Sequence, residues 1–411
     1  MATVGTEGDV RPFLAVALGL VGRGHRVTIA THTDYEEMIS ARGVGFRPIG
    51  GSFRRLVESE SGRAWIESSD SLLEYLRRTR ELFEPLGQRW TEDAYEAASD
   101  ADAVLAHPFS VGATFAAEKN GRPAAVLALP PFVESGELVP PFFLGAPRWS
   151  WLRRALGRLS VRGIGGILLP HLNRVRARAG LPAIPSPVFT DFLLARGVPL
   201  LHLFSPSLVP RPSDWPRLAD VTGFCFLEDA SKPSPDLVRF VEAGPPPLYV
   251  GFGSMTGRDP RSLAELTVRA LRGRRAVVVT GWSGAAARGP GEDETVFLTE
   301  HVSHEWLLPR VRAVVHHGGA GTTAAGLRAG RPTLVVAFFG DQPFWGHCVH
   351  RVGSGPRPLL RRNLDDSSLA AAIDDLERHP SYREAARRMQ VKLAAEDGVL
   401  DTVARVEALV S

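Results

Sequence analysis

Short apolar runs alternate with helical patterns along most of the chain. Residues 2–4 are a very short apolar start, followed by the loop Gly5-Thr6-Glu7-Gly8-Asp9. From Pro12 to Gly22, the residues Phe13, Leu14, Ala17, Leu18 and Val21 fall on one face of a helix. Pro12 is tolerated near its start, and Gly22 and Gly24 end it. Residues 26–30 read as a strand, 35–42 as a short helix closed by Gly43, and 44–48 as a third strand. Helices are predicted over 72–86, 88–98 and 111–119, with strands at 103–106 and 124–129. The same rhythm resumes with strands at 248–252, 276–280, 296–298, 313–316 and 333–337. Helices at 263–272 and 322–329 lie between them, and residues 380–411 close the chain in helices. Strands alternating with helices imply parallel sheets covered on both faces.

Two stretches break the rhythm. Residues 130–181 carry Pro130, Pro131, Pro140, Pro141, Phe142, Phe143, Trp149 and Trp151. This is too apolar for a solvated linker and reads either as an irregular packed insertion or as a wall of an apolar binding pocket, the second being favoured because long loops in compact domains are usually functional. Residues 205–247 are rich in Pro and turn formers and read as the linker region. The expected organisation is two tandem Rossmann-like, doubly wound α/β domains. The first spans 1–213 and the second 248–389, with 214–247 between them.

Composition narrows the class. A length of 411 residues suits two domains. With 44% hydrophobic and 23% charged residues, bulk disorder is excluded. A net charge of +3 gives no dense basic face for nucleic acid. No apolar run reaches the length of a membrane span, and the start has no signal-peptide pattern. Two cysteines suit a reducing, cytoplasmic setting.

The strongest chemical signal begins at His316. A predicted strand runs into His317, Gly318, Gly319 and Gly321, and Thr322 and Thr323 then open a helix. Such a turn presents unpaired backbone N–H groups at the positive end of a helix, and glycine lets an anion approach closely. Asp341 and Gln342 follow the next strand end and could exchange hydrogen bonds with sugar hydroxyls. No G-x-x-x-x-G-K-[ST] loop occurs, and no G-x-G-x-x-G follows the first strand, which disfavours P-loop and dinucleotide-binding enzymes. Asp100-Ala101-Asp102 spells D-x-D but reads as a surface turn. The clusters His347, Cys348, His350 and His301, His304 lack further ligands for zinc.

Four blocks resemble the nucleotide-sugar-dependent glycosyltransferases of the GT-B fold, and most of all their sterol glucosyltransferase and antibiotic glycosyltransferase branch. They are Gly5–Leu20, GFGSM at 251–255, 301–332, and FFGDQPFWG at 338–346. The resemblance implies two domains facing each other across a cleft, with the last helix, about 390–411, packing back on the first. It implies that Ser254 binds diphosphate, that the Val302 backbone meets the base, and that His317, Gly318, Gly319, Gly321 and Thr322 form the phosphate turn. Asp341 and Gln342 would read the donor sugar, and His304 is a further donor-site candidate. Asp9 and His107 would form an inverted catalytic dyad, with Asp9 as base and the reverse division open. Phe142, Phe143, Trp149 and Trp151 would wall the acceptor pocket. The implied activity is inverting and metal-independent. It would use a UDP- or dTDP-sugar as co-substrate with no further cofactor, and an apolar hydroxylated acceptor such as a macrolide, other polyketide or sterol-like lipid. A nucleotide-sugar epimerase and a catalytically silent auxiliary protein are the alternatives. Weak peripheral membrane contact through Trp149, Trp151, Arg153 and Arg154 is a further expectation.

Overall fold

The computed structural model describes all residues except 69–71, 142, 144–146, 230, 254–259, 281–288 and 291–294. The chain divides into two compact units. One comprises Met1–Trp65, Ser71–Leu227 and Glu396–Ser411, and the other Ile66–Asp70 and Glu228–Ala395.

In the first unit, β1 (Thr28–Thr31) pairs in parallel with β2 (Gly45–Pro48). Four further parallel strands follow in the order β3 (Val104–Ala106), β4 (Ala124–Ala128), β5 (Leu200–His202) and β6 (Ala219–Val221). The short apolar start joins the two sets, since Ala2 bridges in parallel to both Ala30 and Ala106. It therefore occupies a central strand position, and Ala2 and Val4 are each 2% exposed. The first helix runs Glu7–Gly22 and begins a turn earlier than its apolar periodicity suggests. Val10, Phe13, Leu14, Val16 and Ala17 are buried on it, which outweighs the hydrogen bond lost at Pro12.

Residues 150–179 are not irregular. They form one 30-residue helix, Ser150–Ala179, closed by Gly180 at φ 75°. Its glycines and Pro170 look like breakers in sequence, but tertiary packing overrides them. Gly165 lets the Pro187 carbonyl approach to where a Cβ would sit. Arg176, with no solvent exposure, donates to both Glu118 oxygens at 2.6 and 3.0 Å and lies over the rings of Phe115 and Phe192. In the same way, the two helices expected over 72–86 and 88–98 are one, Leu72–Ala97, running through Pro85.

The first unit also takes in residues 214–227, which the proline content suggested were linker. β6 lies there, and Cys225 and Leu227 are buried in one cluster with Leu14, Leu201, Val403 and Val406. The helix Gly398–Val410 belongs to the same unit. Thr402 and Thr222 hydroxyls bond at 2.8 Å, and Gly223 and Gly398 touch backbone to backbone.

The second unit holds a seven-stranded sheet. Its strands are β7 (Leu248–Gly251), β8 (Ala276–Val279), β9 (Gly289–Pro290), β10 (Val296–Thr299), β11 (Ala313–His316), β12 (Thr333–Ala337) and β13 (Leu359–Leu360), in the order β13-β12-β11-β7-β8-β10-β9. All pairs are parallel except β9 with β10. The central strands are buried on both faces, as continuous apolar runs such as Val314-Val315 require.

Candidate active site

In the first unit the loop after the central Ala2 position leads into the first helix, and the loop after β3 carries His107. Thr6 caps the helix. Its backbone N–H and its hydroxyl both donate to Asp9 Oδ2, at 2.7 and 2.9 Å. Asp9 is thus the third helical residue of a Thr-x-x-Asp capping pair, not the cap itself. The pairing fixes the carboxylate and turns Oδ1 toward His107 Nε2, 3.9 Å away, longer than a hydrogen bond. The His107 side chain is 3% exposed and that of Asp9 27%. Phe13 and Phe109 pack on the imidazole, and burial holds it neutral with its pKa down at about 3. Nδ1 accepts from the Phe109 N–H at 3.4 Å, which assigns the ring proton to Nε2. The structure therefore brings Asp9 and His107 together. Thr6 is the residue that sequence reasoning missed, although the capping-box spacing was there to find it.

In the second unit β11 ends at His316, whose Nδ1 accepts from the Gly318 N–H at 3.0 Å and shapes the turn. Gly318 sits at φ 92°, and a Cβ there would meet Val335 and Gln342 within 3.0 Å. A Cβ on Gly319 would lie 2.6 Å from His317 Nε2, so this glycine makes room for the imidazole. Burial pulls the His317 pKa down to about 4, with the Gly251 carbonyl opposing the shift. The helix Ala320–Arg328 starts on Gly319, which has no side chain to cap it. Its first-turn N–H groups are left without an intrahelical partner, as at any helix start. Gly321 differs from its neighbours: φ is not positive there, and a Cβ would meet nothing within 4 Å. Nothing among the described residues requires glycine at that position. Its open face lies on the first turn of the uncapped helix, beside half-buried Thr322.

After β12, Gln342 Oε1 accepts from the N–H groups of Phe338 and Phe339, at 2.7 and 3.2 Å. Its acceptor oxygen is spent holding the loop, which leaves the amide N–H groups for other contacts. Asp341 Oδ2 accepts from Trp345 Nε1 at 2.7 Å. Burial raises its pKa, opposed by that bond. His304 Nε2 is bonded to the buried Tyr249 hydroxyl at 2.9 Å. Val302 is 7% exposed, its side chain in the core. Ser254 and Phe142 lie outside the described residues.

Of the residues expected to wall the acceptor pocket, Phe143 is half-buried, and Trp149 and Trp151 are 63% and 67% exposed at the start of a helix. Pro131, Leu138, Pro140, Pro141 and Val161 line a recess with room for about one water molecule. Among the described residues no group of three His, Cys, Asp or Glu could hold a metal ion. Asp100 pairs instead with Arg47 at 2.6 Å, and Cys348 is buried, its thiol pushed up to about 12.

Comparison with known proteins bears on both units. Residues 1–133 match the glycosyltransferase family 28 N-terminal domain, and residues 292–409 match the erythromycin biosynthesis protein CIII-like C-terminal domain. Sterol 3-beta-glucosyltransferase UGT80B1 of Arabidopsis thaliana is 36% identical over 97% of the chain, and UGT80A2 of the same plant is 34% identical over 98%. The chain belongs to the GT-B glycosyltransferases. It spans 66% and 64% of the length of those two relatives. Solved GT-B structures share its fold along the whole length. The kitacinnamycin glycotransferase has a TM-score of 0.68 at 18% identity, covering 100% of this chain and 98% of its own. VinC in complex with dTDP has a TM-score of 0.67 at 20% identity, with 100% and 98% covered.

Proposed function

We propose that this GT-B chain transfers a sugar, with inversion, from a UDP- or dTDP-sugar to a hydroxyl of an apolar acceptor of sterol or polyketide type. The observation that carries the reading is the turn from His317 to Thr322. It offers an uncapped helix N-terminus with an open glycine face at Gly321, the arrangement that receives a diphosphate. Support for the acceptor class comes from the relatives named as sterol 3-beta-glucosyltransferases, which align along nearly all of this chain. Support for the donor class comes from solved neighbours of the same fold in complex with thymidine diphosphate.

In this reading Asp9 is the general base. His107 is neutral and its Nδ1 already accepts a hydrogen bond, so its free ring nitrogen carries a proton and cannot take another. Asp9 Oδ1 is the acceptor atom on that side, steadied by the two Thr6 bonds to Oδ2. The acceptor hydroxyl gives its proton to Asp9, and its oxygen attacks the anomeric carbon. The bond to the diphosphate breaks, and the charge developing there is met by the N–H groups of residues 320–322 and by neutral His317 as a donor.

The test is a binding and turnover screen of UDP- and dTDP-sugars with sterol and polyketide acceptors. Asp9→Asn should bind donor normally and lose about 10²–10⁴-fold in turnover. Absence of binding by every nucleotide sugar would overturn the reading. Donor binding with full Asp9→Asn turnover would remove Asp9 as base.

A further inference from the structure

The helix Ser150–Ala179 carries a surface to which the sugar-transfer steps above assign no role. Between Glu137 and Asp191 the sequence has no acidic residue and eight arginines, of which Arg176 is buried on Glu118 and Arg178 pairs with Glu92. Trp149 and Trp151 stand at its start, 63% and 67% exposed, and Leu159 follows at 55%. Trp65, Trp90, Trp215 and Trp345, by contrast, are each 6% exposed or less. Leaving two neighbouring indoles in water forgoes the burial that this side chain normally obtains. Trp151, Ala155, Leu159 and Arg162 recur at helical spacing on one exposed face. Arg148 and Arg162 are exposed and, among the described residues, make no ion pair. The acids near this face come from other segments. Glu134 and Asp191 are held by Arg158, and Asp214 lies 3.9 Å from Arg154 while accepting from Ser135 and the Gly136 N–H.

We propose that this face is a docking surface for a bilayer containing anionic lipid. Trp149, Trp151 and Leu159 would enter the headgroup boundary, and Arg148 and Arg162 would meet lipid phosphates. Indoles prefer that boundary because one edge is apolar and the N–H remains wet, and exposed guanidiniums supply the electrostatic part. Exposed indoles beside exposed guanidiniums favour an occupant that is both anionic and partly apolar, as a lipid headgroup boundary is. Its arginines, without acids of their own helix, disfavour a second copy of the same face. No helix among the described residues is long and apolar enough to cross a membrane, so the contact is superficial. Such seating would bring the chain to the phase where a sterol-like acceptor resides. The docking itself does not depend on the sugar-transfer reading.

The test uses the full chain with phosphatidylcholine vesicles, with or without roughly 30% phosphatidylglycerol, read by co-sedimentation and Trp fluorescence. Wild type should bind the anionic vesicles. Trp149→Ser with Trp151→Ser should bind at least about tenfold more weakly with an unchanged circular dichroism spectrum. Arg148→Glu with Arg162→Glu should weaken binding about fivefold or more, and raised salt should do the same. No binding of wild type to either vesicle would overturn the proposal. Equal binding by the folded Trp variant would also do so, as would a Trp-dependent dimer that ignores vesicles.

Discussion

Three glycines in one turn have three different causes. Gly318 answers to backbone conformation and Gly319 to the imidazole beside it, whereas Gly321 answers to nothing among the described residues. The difference is testable. Gly321→Ala should leave thermal stability unchanged or raise it, by up to about 1 kcal/mol of helix propensity. It should also weaken UDP- or dTDP-sugar binding at least about tenfold, measured by calorimetry, because the new methyl group occupies the approach to the helix N-terminus. Unaltered affinity would remove this face from the donor site. The sequence shows the run of glycines and histidines plainly, since turn chemistry is local. It does not show which glycine faces open space, because that depends on Val335, Gln342 and His317 closing around the other two.

At the scale of elements, close backbone contact decides where the last helix sits. Gly398 begins it against Gly223, and a Cβ on Gly398 would lie 2.4 Å from the Gly223 carbonyl carbon. Gly19 on the first helix similarly makes room for Val399 and Val403. Gly398→Ala should therefore destabilise the first unit by about 1–3 kcal/mol, seen as a lower urea midpoint. A midpoint equal to wild type would mean that the helix is not clamped there. Apolar periodicity finds the helix but not its partner, because amphipathicity names a face without saying what covers it. The same limit explains the Ser150–Ala179 helix. Its glycines and Pro170 read as breakers until Glu118, Phe115 and the Pro187 carbonyl are placed around it.

For the whole molecule, burial of histidines sets the response to acid. His107, His202 and His317 are held with pKa values of about 3, 4 and 4, below an ordinary 6.5, chiefly by desolvation. A depressed histidine is neutral when folded and takes up a proton on unfolding between its two pKa values. Its contribution is complete above about pH 6.5 and is lost as pH falls toward the folded value. At pH 5 each should cost about 2 kcal/mol relative to pH 7.5. The urea midpoint should drop over that interval, and His202→Gln should flatten the drop. A midpoint that does not change between pH 7.5 and 5 would contradict the burial of these rings.

Sequence alone determined the alternation of strands and helices, the glycine-rich turn after β11, and the Asp9 loop. Each is written in local periodicity or turn chemistry within a few neighbouring residues. Only the tertiary structure decided that Ala2 fills a central strand position, that residues 214–227 and the last helix belong to the first unit, and that Trp149 and Trp151 are left exposed at the start of a helix. Those outcomes depend on which distant surfaces meet, and contacts between residues hundreds of positions apart leave no periodic trace in the chain.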